Sequence, residues 1–310
     1  MSWWESLNYP HNQGLTEFFP VSSSGHLVMA GRLLNLQLPG IVFEVAVHVA
    51  TLVSVVIVYR QKVWSLLRGL AGKGEQSSWP YMGKLLLASI PAGVMGVLFK
   101  DWFEARFDDP RFAGTMILVT GSFVWSTRWA RGQHRIGPLE LLPIAFAAVV
   151  SLLAGTIVPF LAVLGVEALI MGVARWTAKR EVVAEPTTSG ALLMGVAQAC
   201  AILPGISRSG STVVTALWRR IDPVAAAEFS FLMSIPAILG AALLNVPDAM
   251  RTDLGMSLSA LAVGAIAAGV SGVVAIRFFV VLLKRQNFHA FAWYCWVAGA
   301  LFLVFIGRTV

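Results

Sequence analysis

Five windows of this chain, 41–59, 82–99, 226–246, 256–276 and 288–307, stay apolar for about 18 residues or more, the length a helix needs to cross a hydrocarbon core at about 1.5 Å per residue. A sixth, 112–129, is weaker, and the segment 139–175 is long enough to cross twice. Inside lipid every backbone N–H and C=O must find its partner within the chain, so a sequence built of such windows is predicted to be an all-α integral membrane protein. With 57% hydrophobic and only 13% charged residues, a water-soluble domain is excluded. MSWWESLNYPHN is too polar to read as a signal peptide. Cys200 and Cys295 stand in apolar surroundings without metal-ligand spacing, so neither a disulfide nor a zinc site is expected.

The formal net charge of +7 does not point to nucleic acid, because the basic residues are distributed as a membrane protein distributes them. Arg60, Lys62, Arg68 and Lys73 follow the first long window, Arg128, Arg131 and Arg135 follow 112–129, and Arg175, Lys179 and Arg180 follow 139–175. Arg277, Lys284 and Arg285 precede the last window. By the positive-inside rule these loops are cytoplasmic. The loops carrying Asp101, Glu104, Asp108 and Asp109, and Asp248 and Asp253, then face outward. Tryptophans such as Trp3, Trp4, Trp102, Trp125, Trp293 and Trp296 read as interfacial anchors.

Two kinds of repetition cross the chain. Ser-Ile-Pro-Ala occurs at 89–92 and 234–237, and Gln13 precedes SSSGH (22–26) by the same nine positions that separate Gln198 from SRSGS (207–211). Charge places 41–59 from outside to inside and 226–246 from inside to outside, while the segment between Arg180 and Arg219 starts and ends in the cytoplasm. The expected architecture is therefore an inverted-topology repeat, each half a re-entrant helical hairpin plus three transmembrane helices, with an extra helical pair around 139–175. The whole chain, 1–310, is one polytopic domain: repeat one about 10–130, the insert about 131–176, repeat two about 186–308. The two hairpins would enter from opposite faces and bring QGLTEFFPVSSSGH and PGISRSGST together near the midplane.

An ionisable residue at membrane depth costs roughly 2.5–3.5 kcal/mol on insertion scales, so it needs a partner or a function. Arg208 offers a permanently charged planar fork suited to phosphate oxygens; the bland alternative is a buried pair with Glu17 or Glu44. Clusters of Ser and Gly at a helix start present N–H groups and hydroxyls to an anion, although small residues also serve close helix packing. His26 can exchange a proton or attack phosphorus near neutral pH, and Ser23, three residues before it, is a nucleophile that His26 would activate. Glu17 and Gln13, one helical turn apart, either hold a hard divalent cation through oxygen ligands or leave Glu17 to act as base or to orient His26. Glu44, His48 and Glu228 are favoured as satisfied structural groups, and Glu167 receives no role.

QGLTEFFPVSSSGHL and PGISRSGST, followed by AAEFSFLMSIPA, closely resemble the paired signatures of the bacterial undecaprenyl-diphosphatase family, the type linked to bacitracin resistance. The resemblance covers most of the chain apart from the insert and the first dozen residues. It implies a multi-pass enzyme of the bacterial inner membrane that hydrolyses undecaprenyl diphosphate to the monophosphate on the periplasmic side, recycling the lipid carrier of peptidoglycan synthesis with a divalent cation, Mg2+ or Ca2+, assisting. Carried over by motif, Arg208 is the diphosphate clamp and Glu17 the metal ligand or proton carrier; the resemblance leaves open whether Ser23 or His26 attacks phosphorus, and Ser23 with His26 assisting is favoured. Ser22, Ser24, Gly25, Ser207, Ser209 and Thr212 then bind the substrate, and Gln13 joins Glu17 at the metal. The partners implied are the polyprenyl diphosphate and membrane lipids. The rival reading is a polyprenyl-phosphate flippase or secondary transporter built on the same hairpins. Two features depart from the pattern. Pro10 and Asn12 in LNYPHN discourage a buried helix before Gln13, and the added apolar stretch around 130–170 either mediates a homo-oligomer or pads the fold.

Overall fold

The computed structural model describes residues 3–34, 41–72, 78–130, 137–178, 181–251 and 257–309. Among them the chain is helical apart from its loops and one isolated bridge between Val183 and Ile221. The first part runs through α1 (Trp3–Phe18), α2 (Ser23–Leu34), α3 (Ile41–Val58), α4 (Arg60–Leu70), α5 (Ser78–Leu98), α6 (Lys100–Phe107), α7 (Pro110–Trp125) and the single turn α8 (Thr127–Ala130). The apolar segment 139–175 forms α9 (Pro138–Leu153) and α10 (Ile157–Trp176), turning at Gly155, whose φ of 72° suits a residue without Cβ. The last part comprises α11 (Thr188–Cys200), α12 (Arg208–Trp218), α13 (Pro223–Arg251), α14 (Leu258–Lys284) and α15 (Phe291–Thr309).

Five stretches among the described residues are long and apolar enough to cross a membrane: Ser78–Leu98, Ile157–Trp176, Pro223–Leu243, Ser259–Lys284 and Phe288–Ile306. A sixth candidate is bent, α3 turning by 88° into α4. This is a multi-pass membrane protein. The weak hydropathy of 112–129 has a packing reason: every residue of α7 from Phe112 to Trp125 is buried within the protein, so Thr115, Thr120 and Ser122 never meet lipid. The hydroxyl of Thr115 donates to that of Thr156 at 2.7 Å, fastening the turn of the added pair to this central helix.

The hairpin arms pack in an exchanged manner. α1 lies along α14, and α11 lies along α5, so each hairpin's first arm rests on a long helix from the other part of the chain. Close approach depends on Gly14, where a methyl group would overlap Ser271 and the carbonyl of Ala268, and on Gly195, where it would overlap Ala88. Gly14→Ala is expected to destabilise the fold by about 1–3 kcal/mol through overpacking, visible as a lower Tm of the detergent-solubilised protein.

Three expectations are corrected. α1 runs through Pro10 without a break: the missing N–H removes one hydrogen bond, but packing on α14 outweighs it, and the polar His11 and Asn12 take exposed positions. The Ser-Ile-Pro-Ala segments fall on α5 and α13, which are not at corresponding places in the two helix orders, so only the hairpin motifs match in register. Trp125 and Trp296 are buried rather than interfacial, because their indole N–H groups find the carbonyl of Glu140 at 2.9 Å and the hydroxyl of Ser122 at 3.3 Å. Trp102 and Trp293 are exposed. Lys73, Arg131, Arg135, Lys179, Arg180 and Asp253 lie outside the described residues, as do the side chains of Trp3, Trp4, Glu44 and Asp248.

Candidate active site

The two polar motifs make the same cap hydrogen bonds on different backbones, extended at Ser207 with a φ of −78° and left-handed at Ser22 with a φ of 68°. Ser22 precedes α2 and its hydroxyl accepts from the N–H of Gly25 at 3.2 Å; Ser207 caps α12 and its hydroxyl accepts from the N–H of Gly210 at 3.1 Å. In both, the capping hydroxyl lies 3.3 Å from the hydroxyl two residues on, Ser24 in one and Ser209 in the other. Ser-x-Ser-Gly is thus an N-cap with glycine at the third helical position, and each helix start turns its positive dipole end toward the place where the motifs meet.

Backbone contacts hold the hairpins tip to tip. The hydroxyls of Ser207 and Ser209 donate to the carbonyl of Phe19 at 3.4 and 3.1 Å. Thr120 on α7 donates to the carbonyl of Gly205 at 2.8 Å and accepts from the N–H of Ser207 at 3.1 Å. A Cβ on Gly25 would stand 2.8 Å from the Cα of Gly205, so the hairpins touch where neither residue has a side chain.

Between these helix starts lies the carboxylate of Glu17. One oxygen, Oε1, accepts from Nη2 of Arg208 at 2.6 Å; the other, Oε2, accepts from the hydroxyl of Ser23 at 2.7 Å and from the amide of Gln13 at 3.2 Å. The pair is mostly shielded, with side-chain exposures of 16% for Arg208 and 7% for Glu17. Nη1 of Arg208 is buried and has no hydrogen-bond partner among the described residues, which leaves a charged donor for a ligand oxygen. The buried pair and the anion site, opposed readings of the sequence, involve the same two residues.

Glu17, Ser22, Ser23, Ser24, Ser207 and Arg208 line one side of a cavity of about 380 Å³. The rest of its lining is mostly apolar, including Val45, Phe107, Ile202 and, on α13, Ala237, Ile238 and Ala241. A cationic, hydroxyl-rich end beside a greasy wall suits an amphiphile with an anionic head.

The sequence pattern described as "Bacitracin resistance protein BacA" matches residues 12–301. The chain belongs to the BacA family. A protein of Halothermothrix orenii named undecaprenyl-diphosphatase is 32% identical over 296 residues, covering 95% of each chain. Relatives of the same name from Salinibacter ruber and Alkaliphilus metalliredigens are 34% and 33% identical, the first covering 97% of this chain and 98% of its own, the second 94% of each.

Within this BacA chain the structure separates the predicted site residues. Glu17, Ser23 and Arg208 are joined directly, Ser22, Ser24 and Ser207 line the cavity, and Gln13 stands behind Glu17. His26 is not positioned as the partner of Ser23: its Nδ1 lies 2.7 Å from the carbonyl of Ser22 and its Nε2 2.7 Å from the hydroxyl of Tyr294. Thr212 is turned inward, bonded to the carbonyl of Arg208 at 2.8 Å and the hydroxyl of Ser230 at 2.6 Å, so it supports α12 rather than lining the cavity. Ser209 likewise spends its hydroxyl on the carbonyl of Phe19, while Gly25 gives its N–H to the Ser22 hydroxyl and its bare Cα to the contact with Gly205.

A cation site on protein ligands alone does not fit this donor set. Gln13 turns its amide nitrogen, not its oxygen, toward Glu17, whose carboxylate is already held by Arg208 and Ser23. Among the described residues no group of three or more His, Cys, Asp or Glu converges. His48 was read as structural, yet it lines the cavity with its Nε2 3.3 Å from the Gln13 amide. Glu228 is structural, 3.7 Å from Lys62 and accepting from Tyr81 at 3.4 Å. Glu167 is buried and accepts from Ser211 at 3.3 Å, which ties α10 to α12. Tyr294 had no sequence signal, since an isolated tyrosine in a terminal apolar helix looks like any other interfacial aromatic.

Proposed function

We propose that this chain hydrolyses a polyprenyl diphosphate, undecaprenyl diphosphate above all, to the monophosphate and inorganic phosphate. It would recycle the lipid carrier for peptidoglycan synthesis and thereby confer bacitracin resistance. The observation that carries the reading is one carboxylate binding both a nucleophile candidate, Ser23, and an anion clamp, Arg208, at the meeting of two helix N-termini. The name shared by relatives matched over nearly their whole length supports it. A carrier needs the clamp but has little use for a serine hydrogen-bonded to a carboxylate.

The diphosphate takes over Arg208, whose Nη1 is without a partner among the described residues, and the helix starts of α2 and α12 share its charge. Glu17 then loses its counter-charge and its remaining task is the Ser23 proton. Ser23 Oγ attacks the terminal phosphorus as its proton passes to Glu17. The bond from that phosphorus to the bridging oxygen breaks, and the polyprenyl monophosphate leaves with that oxygen. Water then displaces the phosphoryl group from Ser23, releasing inorganic phosphate. A divalent cation, Mg2+ or Ca2+, is proposed to arrive with the substrate, drawing its oxygens chiefly from phosphates and water, since such ions need few protein carboxylates beside a bound phosphate. The two hairpins are proposed to belong to oppositely oriented halves in the bacterial inner membrane, with the cavity open to the periplasm. The matching caps and the exchanged packing support that arrangement.

The test is phosphate release from a polyprenyl diphosphate by purified protein in detergent, where no sealed compartment exists and transport has no meaning. Ser23→Ala is expected to abolish release, and acid-quenched wild-type protein to carry a phosphoryl group on the peptide containing Ser23. Normal turnover by Ser23→Ala would remove serine from the attack.

A further inference from the structure

We infer that Tyr294 is a positioning residue for the proposed reaction, acting through His26 to hold the Ser22 turn that aims Ser23 at Glu17. The inference rests on the phosphatase reading above and assigns His26 a role other than proton acceptor for Ser23.

The turn needs holding. Ser22 has a φ of 68°, a left-handed conformation that L-residues other than glycine adopt rarely and at a cost of about 1–3 kcal/mol. Its carbonyl is gripped twice by one residue, accepting from the backbone N–H of His26 at 3.2 Å and lying 2.7 Å from its Nδ1. A carbonyl can only accept, so Nδ1 carries the proton. In the neutral ring Nε2 is then an acceptor, and its partner at 2.7 Å is the hydroxyl of Tyr294, which donates. The Ser22 carbonyl thus fixes the tautomer, and Tyr294 satisfies the Nε2 acceptor that this tautomer leaves and holds the ring in place. The rings reinforce this, stacked at 5.5 Å with 9° between their planes. A protonated ring would still donate from Nδ1, so the grip does not depend on titration of His26.

α15 supports the first hairpin at other points too. Cys295, next to Tyr294, lies with its sulfur 3.5 Å from the carbonyl of Pro20, and Phe291 meets Phe19 with ring centroids 5.4 Å apart. His26 itself does not line the cavity, whereas Ser22, Ser23 and Ser24 do. The histidine acts from behind the turn.

The experiment is steady-state phosphate release, with folding checked by thermal unfolding, for Tyr294→Phe, His26→Ala, His26→Asn and the double variant His26→Asn/Tyr294→Phe. Asparagine places an amide N–H near the position of Nδ1 and has no tautomer to select. Tyr294→Phe is expected to lower kcat about tenfold with KM little changed, the scale of one lost hydrogen bond. His26→Asn is expected to retain activity within about tenfold of wild type while His26→Ala loses far more, and the double variant to be no worse than His26→Asn alone. The dependence of kcat/KM on pH should keep its wild-type shape in His26→Asn, as expected if His26 is not the proton acceptor. If His26→Asn is as inactive as His26→Ala, or Tyr294→Phe matches wild type, the positioning role is wrong. Should Ser23→Ala also turn over normally, the phosphatase assignment of that serine falls instead, so the two failures are distinguishable.

Discussion

Arg208→Ala is expected to reduce phosphate release by about 10³-fold or more, the scale on which a preorganised cationic donor contributes to phosphoryl transfer. Its effect on stability should be separable from its effect on turnover. Removing the guanidinium leaves Glu17 buried and uncompensated, which costs about 3–5 kcal/mol when one member of a shielded ion pair is lost. The double variant Arg208→Met/Glu17→Leu removes both charges, and should recover most of that stability while remaining inactive. Arg208→Lys keeps a positive charge but not the planar fork, so it should fold like the wild type and remain well below it in turnover. Thermal unfolding in detergent alongside phosphate release reads both quantities. A turnover by Arg208→Ala close to wild type would show that the pair serves only the fold.

The second large effect is expected at a residue with no chemistry. Gly205 has a φ of 98°, and an added methyl would overlap the carbonyl of Ala113 and the Cβ of Met116. Backbone strain and overpacking act together there, so Gly205→Ala is expected to cost about 3 kcal/mol or more. Gly25→Ala meets the same contact from the other hairpin, against Gly205 Cα at 2.8 Å and the Ile117 side chain at 2.9 Å. Its backbone is helical, so it should be affected less. Both variants should lose activity in proportion to the displacement of Ser207 and Arg208, although neither glycine reaches the cavity. An unchanged Tm for Gly205→Ala would mean that the hairpin tips are not locked together.

Much of this was legible in the sequence because lipid imposes simple rules. The spans at α5, α13, α14 and α15, and the paired helices of the insert, follow from apolar length alone. The convergence of Glu17, Ser23 and Arg208 followed from two matched motifs and the expense of burying an arginine. What the sequence hid was direction. His26 and Ser23 both lie on α2, three residues apart and within reach on a helix, but Ser23 turns to Glu17 while His26 turns to the Ser22 carbonyl and the Tyr294 hydroxyl. Thr212 and Arg208 share a face of α12, yet only the first residue of that helix reaches the cavity. Pro10 misled because propensity was weighed without the α14 surface that overrides it.

The packing of the first helix on the fourteenth, and the grip of the fifteenth on the first hairpin's turn, bear on biogenesis. A nascent chain leaves the ribosome from its N-terminus, so Glu17 and Ser23 enter the bilayer long before the helices that hold them. Until residues near 294 have been inserted, the N-terminal hairpin has neither its supporting surface nor its brace. Catalytic competence should therefore appear abruptly, once α15 has been inserted, and truncations that remove α15 should yield protein that inserts but does not turn over.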